Sequence, residues 1–261
     1  MKNIVVIPAV KPKDKSLSKF GGWQWMEYSI EAWTYWCKKY DYELVIYDTP
    51  YIEDTSTYRV TVQRWFDIFR FLEERGIEYD QILMTDAAHI PHWNCADIFQ
   101  LSDNKFTVTH EYDNFKWIYE SIEGYKHMFD NYDFDLYKYF NAGLVIFNKS
   151  HKQLIEKFQH VYTSNIKEFV DLQKTVRRGT DQTPLNYIVQ MSGEDVNFLP
   201  MEYRVSHLPR KELLTHNWQL NEDKVPFFIK YGSIWGFQGF DKAQRNSLME
   251  QTWNLIKKNY E

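Results

Sequence analysis

The chain has 261 residues, 44% of them hydrophobic, which is enough to bury a sizeable core, and a net charge of -5 with both signs mixed along it. That balance excludes a protein whose main task is to grip nucleic acid through its phosphates, because such a protein needs a concentrated basic surface. No window approaches the roughly 18 apolar residues of a membrane span, and two isolated cysteines with no signal-peptide pattern lead us to expect a reduced, cytoplasmic setting.

Asn3 to Ile7 is a β-branched run that suits a central buried strand, and Pro8 ends it. Lys11, Lys13, Lys15 and Lys19 crowd the segment that follows, either to meet an anionic ligand or to keep a loop soluble. Ile30, Trp33, Cys37 and Tyr40 recur at spacings of three and four, which predicts a helix over Glu27 to Tyr40; Glu43 to Tyr47 then reads as a second strand. Val62, Trp65, Phe69 and Leu72 predict another helix with Gly76 as its C-cap. The short apolar run Ile82 to Thr85 follows as a third strand and stops abruptly at Asp86. This alternation predicts an α/β chain with a mostly parallel sheet covered by helices. In such sheets ligands bind beyond the carboxyl ends of the strands, so Asp86 is a site candidate by position; the alternative is an ordinary strand-end cap.

Further along, Phe106 to His110 reads as a strand, Asp113 to Asp130 as an aromatic-rich mixture of helix and loop, and Tyr139 to Phe147 as a second strong strand. Within it, Gly143 allows either close backbone approach to a ligand or a simple bulge. Leu154, Phe158, Val161, Ile166 and Phe169 predict one long helix. After the basic pair Arg177-Arg178 comes a helix start in which Thr180 or Asp181 is the N-cap; local sequence favours capping over a carboxylate aimed into the crevice. Val196 to Leu199 is a short strand, Phe227 to Phe240 an aromatic strand and loop, and Met249, Trp253, Ile256 and Tyr260 mark a last helix. The 18% aromatic content exceeds what a core needs and suits a surface facing sugars, bases or a partner.

The chain contains no GxSxG elbow, Walker loop, GxGxxG fingerprint, HExxH motif or Cys/His zinc cluster, so the usual warrants for those chemistries are missing. Three stretches do form an ordered set: TDAAHIP at Thr85 to Pro91, YFNAGLVIFNK at Tyr139 to Lys149 and GTDQTPLNYI at Gly179 to Ile188. Together with the glycine-bearing loop Ile234 to Gly239, they resemble the GT-A-type glycosyltransferases, especially the glycogenin-like group and related enzymes of large viruses and bacteria.

The resemblance spans nearly the whole chain and implies one Rossmann-like GT-A domain over residues 1–261. Its nucleotide-binding part would cover about 1–110, and the acceptor side with a closing C-terminal segment about 111–261. It implies transfer of a sugar from a nucleoside-diphosphate sugar, a UDP-sugar first, to a glycan, a protein or a modified nucleobase, commonly with Mn2+ or Mg2+. By resemblance, Asp86 with Ala87 and Ala88 takes the place of the DxD motif, near ribose and metal. Asn141, Ala142 and Gly143 would line the sugar or acceptor side, Asp181 and Gln182 would face the transferring sugar, and Pro8, Ala9 and Val10 would lie beside the base. Gly239 belongs to the closing loop, and Lys11, Lys13, Arg178 and Lys230 lie in segments that could reach a diphosphate. The chain departs from the family pattern at Ala88, where a second Asp is expected, and at Gly236, where a His is expected. His89 is then the nearest further metal-ligand candidate beside Asp86, the alternative being a histidine that faces solvent. Two other readings are a GT-A-like protein that binds nucleotide sugar or glycan without catalysis, and a sugar nucleotidyltransferase. The latter is disfavoured because Ala9 to Lys13 contains no glycine.

Overall fold

The computed structural model describes residues 2–11, 23–112, 114–176, 179–206, 219–220 and 225–261. Lys13, Lys15, Lys19, Arg177 and Arg178 therefore lie outside the described residues. The central sheet contains β1 (Asn3–Pro8), β2 (Glu43–Tyr47), β3 (Gln81–Thr85), β5 (Phe106–His110), β6 (Phe140–Phe147) and β7 (Val196–Leu199), in the order β2-β1-β3-β6-β5-β7. Five of these strands run one way. β6 is antiparallel to both neighbours, β3 and β5, so the expected mostly parallel sheet carries one reversed strand.

The uninterrupted apolar runs have a direct cause in two-sided burial. Ile4, Val6, Ile82 and Met84 pack on one face with Trp65 and Ile68 of α2 (Val60–Glu74) and with Leu185 and Ile188 of α6 (Gln182–Ser192). Val5, Ile7 and Leu83 pack on the other with Trp33 and Trp36 of α1 (Gln24–Tyr40) and with Trp253 of the C-terminal helix Lys242–Ile256. Helix α2 ends as its sequence suggests. Gly76, at a φ of +62°, follows the last turn; its N–H donates to Glu73 O, and Ile77 N–H reaches Leu72 O at 3.0 Å.

The direction of β6 places the site. Because β6 enters the sheet at the edge where β3 and β5 end, its first residues stand opposite Asp86, and Asp86 N–H donates to Gly143 O at 2.8 Å. The ladder to β5 breaks there: Val108 pairs with Val145 but Thr109 pairs with Asn141, so Ala142, Gly143 and Leu144 bulge between them. The bulge read at Gly143 is therefore present.

Two expectations are corrected. The single long helix after β6 is two, α4 (Lys152–Ser164) and α5 (Ile166–Thr175), preceded by α3 (Phe115–Tyr125) on the other side of β6. The break is at Asn165, whose side chain donates to Val161 O at 2.9 Å while its own carbonyl accepts from Phe169 N at 3.0 Å, closing one helix and opening the next. The aromatic stretch from Phe227 begins as a short helix, Phe227–Tyr231, because Phe228 and Ile229 are both buried and Gly232 N–H closes the turn onto Phe228 O. Only Ile234–Gly236 is strand: this β10 pairs antiparallel with β4 (His89–Pro91), and the small hairpin β8 (Gln219–Leu220) and β9 (Val225–Pro226) precedes it. No helix among the described residues is long and apolar enough to cross a membrane.

Candidate active site

A cleft of about 560 Å³ opens at the carboxyl edge of the sheet, a size suited to a small-molecule ligand. Asp86 reaches it as the first residue past β3. Gly143 lies against that carboxylate: a Cβ there would be 2.5 Å from Asp86 Oδ2 and 2.8 Å from Asn141 Oδ1. The glycine is required by this close approach of the chain to its own site side chains.

Asp181 stands at the N-cap position of α6 but makes no side-chain cap. Its Oδ2 instead accepts from Trp65 Nε1 at 3.2 Å and from Arg64 Nη2 at 2.9 Å. The capping favoured by local sequence is therefore replaced by a carboxylate aimed into the cleft, because α2 offers it a charged donor, Arg64, with the Trp65 N–H beside it.

Arg64 is the residue on which the two acids meet. Its Nη1 donates to Asp86 Oδ1, its Nη2 to Asp181 and also to Ala142 O at 2.9 Å, and its Nε to Thr61 O at 3.1 Å. Burial works against the guanidinium charge, but the carboxylates of Asp86 and Asp181 outweigh it and hold the pKa above the ordinary arginine value.

A second hub lies beside the first. Glu111 Oε2 accepts from Asn141 Nδ2 at 2.8 Å, Arg204 Nη2 at 3.2 Å and Gln182 Nε2 at 3.3 Å. Gln182 Oε1 in turn accepts from Asn141 Nδ2 and from Ala142 N–H, each at 3.1 Å, and Asn141 Oδ1 from Gly143 N–H at 2.8 Å. The two amides are thus held in one orientation by the charged pair behind them.

Of the residues singled out in the sequence, Asp86, Asn141, Ala142, Gly143, Asp181, Gln182 and Gly239 line this cleft together. The others do not. Ala87 and Ala88 are buried in the core, and Ala88 O accepts from Phe237 N–H at 2.9 Å. Pro8 ends β1 at the same edge of the sheet, with Ala9 and Val10 just past it, and all three are outside the lining. Lys230 is exposed on the short helix Phe227–Tyr231, and Lys11 pairs with Glu27 at 3.6 Å on the surface.

His89 does not face solvent. It is fully buried in β4, with Nδ1 3.1 Å from Thr85 Oγ1 and Nε2 3.1 Å from the side-chain nitrogen of Gln238. Burial, above all, lowers its pKa to about 4, so the ring is neutral at pH 7.

This set of side chains does not fit the divalent cation that the fold family commonly carries. Among the described residues no three His, Cys, Asp or Glu side chains are grouped closely enough to hold a metal ion. Ala88 and Gly236 supply no ligand, and the space a side chain on Gly236 would take is filled by Gln238, whose Oε1 is 2.6 Å from that Cβ position. Hard cations require several oxygens, and Asp86 Oδ1 is already engaged by Arg64.

No protein-family model matches the sequence, and no curated protein matches it. Solved structures do. A glycosyltransferase involved in the glycosylation of the major capsid of PBCV-1 superposes with a TM-score of 0.58 over 96% of this chain and 100% of its own, at 11% identity. Mouse xyloside xylosyltransferase 1 in its apo form gives 0.50 over 90% of this chain and 97% of its own, at 9% identity. The fold is that of GT-A-type glycosyltransferases. At these identities the likeness is one of architecture, and what the site does is argued from its own residues.

Arg64, Glu111, Arg204, Trp117 and Gln238 also line the cleft, and sequence reasoning missed them as site residues. Arg64 did leave a signal. Val62, Trp65, Phe66, Ile68, Phe69, Phe71 and Leu72 wrap apolar side chains around most of α2, leaving an arginine at 64 no polar face to occupy. Such a position calls for a buried anion.

Proposed function

We propose that the chain is a glycosyltransferase that moves a sugar from a nucleoside-diphosphate sugar, a UDP-sugar in the first place, to an acceptor hydroxyl or amine on a glycan, a protein or a modified nucleobase. One observation carries the reading: two carboxylates, Asp86 and Asp181, and two fixed amides, Asn141 and Gln182, converge in one cleft at the carboxyl edge of a GT-A-type sheet. A sugar is bound by such groups through its hydroxyls, and positive charge developing at the anomeric carbon is favoured next to carboxylates.

The leaving diphosphate needs the opposite charge. Among the described lining residues, two arginines face three carboxylates, so the cleft floor has one negative charge in excess. The diphosphate is therefore assigned to basic residues near the site segments in sequence, Lys13 after Val10 and Arg178 before Asp181, with arginine able to grip a phosphate through two parallel N–H groups. The test is a panel of UDP, GDP, TDP and CMP sugars, read by calorimetry for binding and by released nucleotide for transfer or hydrolysis. The reading fails if none binds and none is turned over.

A second reading is supported by Ala88, by Gly236 and by the Gln238 side chain that fills the space beside Gly236. A cleft altered in this way suits a protein that binds nucleotide sugar or glycan without catalysis. Binding by the same panel with no released nucleotide would favour it.

A further inference from the structure

Asp86, after β3, and Asp181, before α6, come from distant parts of the chain and meet across one guanidinium. Four of the five N–H groups of Arg64 point at protein acceptors, two of them at these carboxylates, and the Arg64 side chain is only 5% exposed. Two carboxylates from different elements, drawn together by a positive charge at the bottom of a cleft, form the arrangement a hard divalent ion otherwise creates. The charge here belongs to α2.

The surroundings support the same assignment independently of Arg64. Beside Asp86, Ala88 is buried with its carbonyl occupied by Phe237 N–H, and Gln238 fills the space next to Gly236 while its amide meets the ring of His89. Where oxygen ligands in addition to Asp86 would be needed, positions 88 and 236 carry a methyl and a hydrogen; the Gln238 amide nitrogen is turned to His89, and its Oε1, which makes no hydrogen bond, is the one further oxygen there.

We propose that Arg64 is the resident cation of this cleft, bridging Asp86 and Asp181 and offsetting one of their two charges at the position an exchangeable divalent ion would otherwise take, and that the cleft has no resident Mn2+ or Mg2+ site. A guanidinium differs from an ion in two useful respects: its fork fixes the angle between the two carboxylates, and it cannot be removed by a chelator or exchanged for another metal. The assignment deepens the glycosyltransferase reading, but its test needs no donor.

The experiment uses Mn2+ alone on the full chain, read by the electron paramagnetic resonance signal of free Mn2+ and by thermal unfolding in Mn2+ against chelator. The wild type is expected to leave the free-ion signal undiminished and to unfold at the same temperature in both. Arg64→Ala leaves Asp86 and Asp181 facing each other without their shared counter-charge. It is expected to unfold earlier in chelator, to recover with Mn2+, and to bind Mn2+ about tenfold more tightly than wild type or better, a gain that Arg64→Ala/Asp86→Asn loses. One equivalent of Mn2+ held by the wild type and released by Asp86→Asn would overturn the proposal, as would a folded Arg64→Ala with wild-type Mn2+ affinity. Should Arg64→Ala fail to fold, the wild-type and Asp86→Asn titrations decide it alone. UDP is then added with chelator or with Mn2+. Equal affinity in both extends the assignment to the ligand-bound cleft, and Mn2+-dependent UDP binding lost in Asp86→Asn overturns it there. UDP binding in neither would sink the donor-site reading and leave the ion result standing.

Discussion

Glu111 and Arg204 are 93 residues apart in sequence and meet at 3.2 Å, with side chains 7% and 3% exposed. This buried pair ties the end of β5 to the turn after β7, and Asn141 and Gln182 take their orientation from its carboxylate.

Replacing Glu111 by Gln keeps the shape and removes the charge that faces Arg204. Breaking a buried pair from one side costs about 3 kcal/mol, and chemical denaturation should show a loss of that order. Glu111→Leu/Arg204→Met should be less unstable than the two single losses added together. Additive losses in that cycle would mean that the two side chains do not act as a unit.

Asp86→Asn and Asp181→Asn should separate binding from turnover. Asp86 is the more exposed of the two acids, and its loss should weaken UDP binding in calorimetry. Asp181→Asn should lower nucleotide release from the cognate donor by about 10²-fold or more while UDP affinity stays near wild type. If both substitutions leave affinity and rate unchanged, neither carboxylate touches the ligand.

Two glycines make a controlled contrast. Gly143→Ala places a methyl 2.5 Å from Asp86 Oδ2 and should cost about 1–3 kcal/mol of stability together with most ligand binding. Gly76→Ala meets nothing within 4 Å but adopts a φ of +62°, so about 1 kcal/mol should be lost with the cleft unaffected. Ligand affinity measured beside the unfolding curve distinguishes them.

The stability of the fold should fall in mild acid. Burial lowers the pKa of His89 to about 4 and does the same for His92, against about 6.5 in the unfolded chain. Between these values the unfolded state binds more protons, so stability is full above pH 6.5 and declines as pH falls toward 4. His110 and His151 shift in the same direction. His89→Gln should flatten part of this decline when unfolding free energies are compared at pH 7 and pH 5. An unchanged slope would show that His89 is not buried neutral.

The sheet was legible because its strands are buried on both faces and therefore read as unbroken apolar runs, Asn3 to Ile7 and Ile82 to Thr85 above all. The reversal of β6 was not, since a strand buried on two faces carries no mark of its direction. Asp86, Asn141 and Asp181 could be placed in one crevice from motif order alone, but the orientation of Asp181 could not: N-cap chemistry is local, whereas Arg64 and Trp65 reach it from 117 and 116 residues away. Glu111 and Arg204 were invisible for the same reason, each being an ordinary charged residue until the fold brings the other to it. Ala88 marks a departure from the family pattern, but nothing local to it announced that an arginine on α2 would engage Asp86.

The chain between His110 and Phe140 leaves the sheet and returns to it at the same edge, with Glu111 and Asn141 as its two anchors. Both ends of this excursion are therefore pinned to the floor of the cleft, while its middle exposes Phe115, Tyr119 and Tyr137. Between these anchors Ile118, Ile122, Tyr125 and Phe129 are buried and Ser121 meets Thr183, so the excursion is also tied to the core through one helix face. Its exposed aromatic positions are the ones at which recognition could be rewritten by design while the chemistry beneath stays as it is.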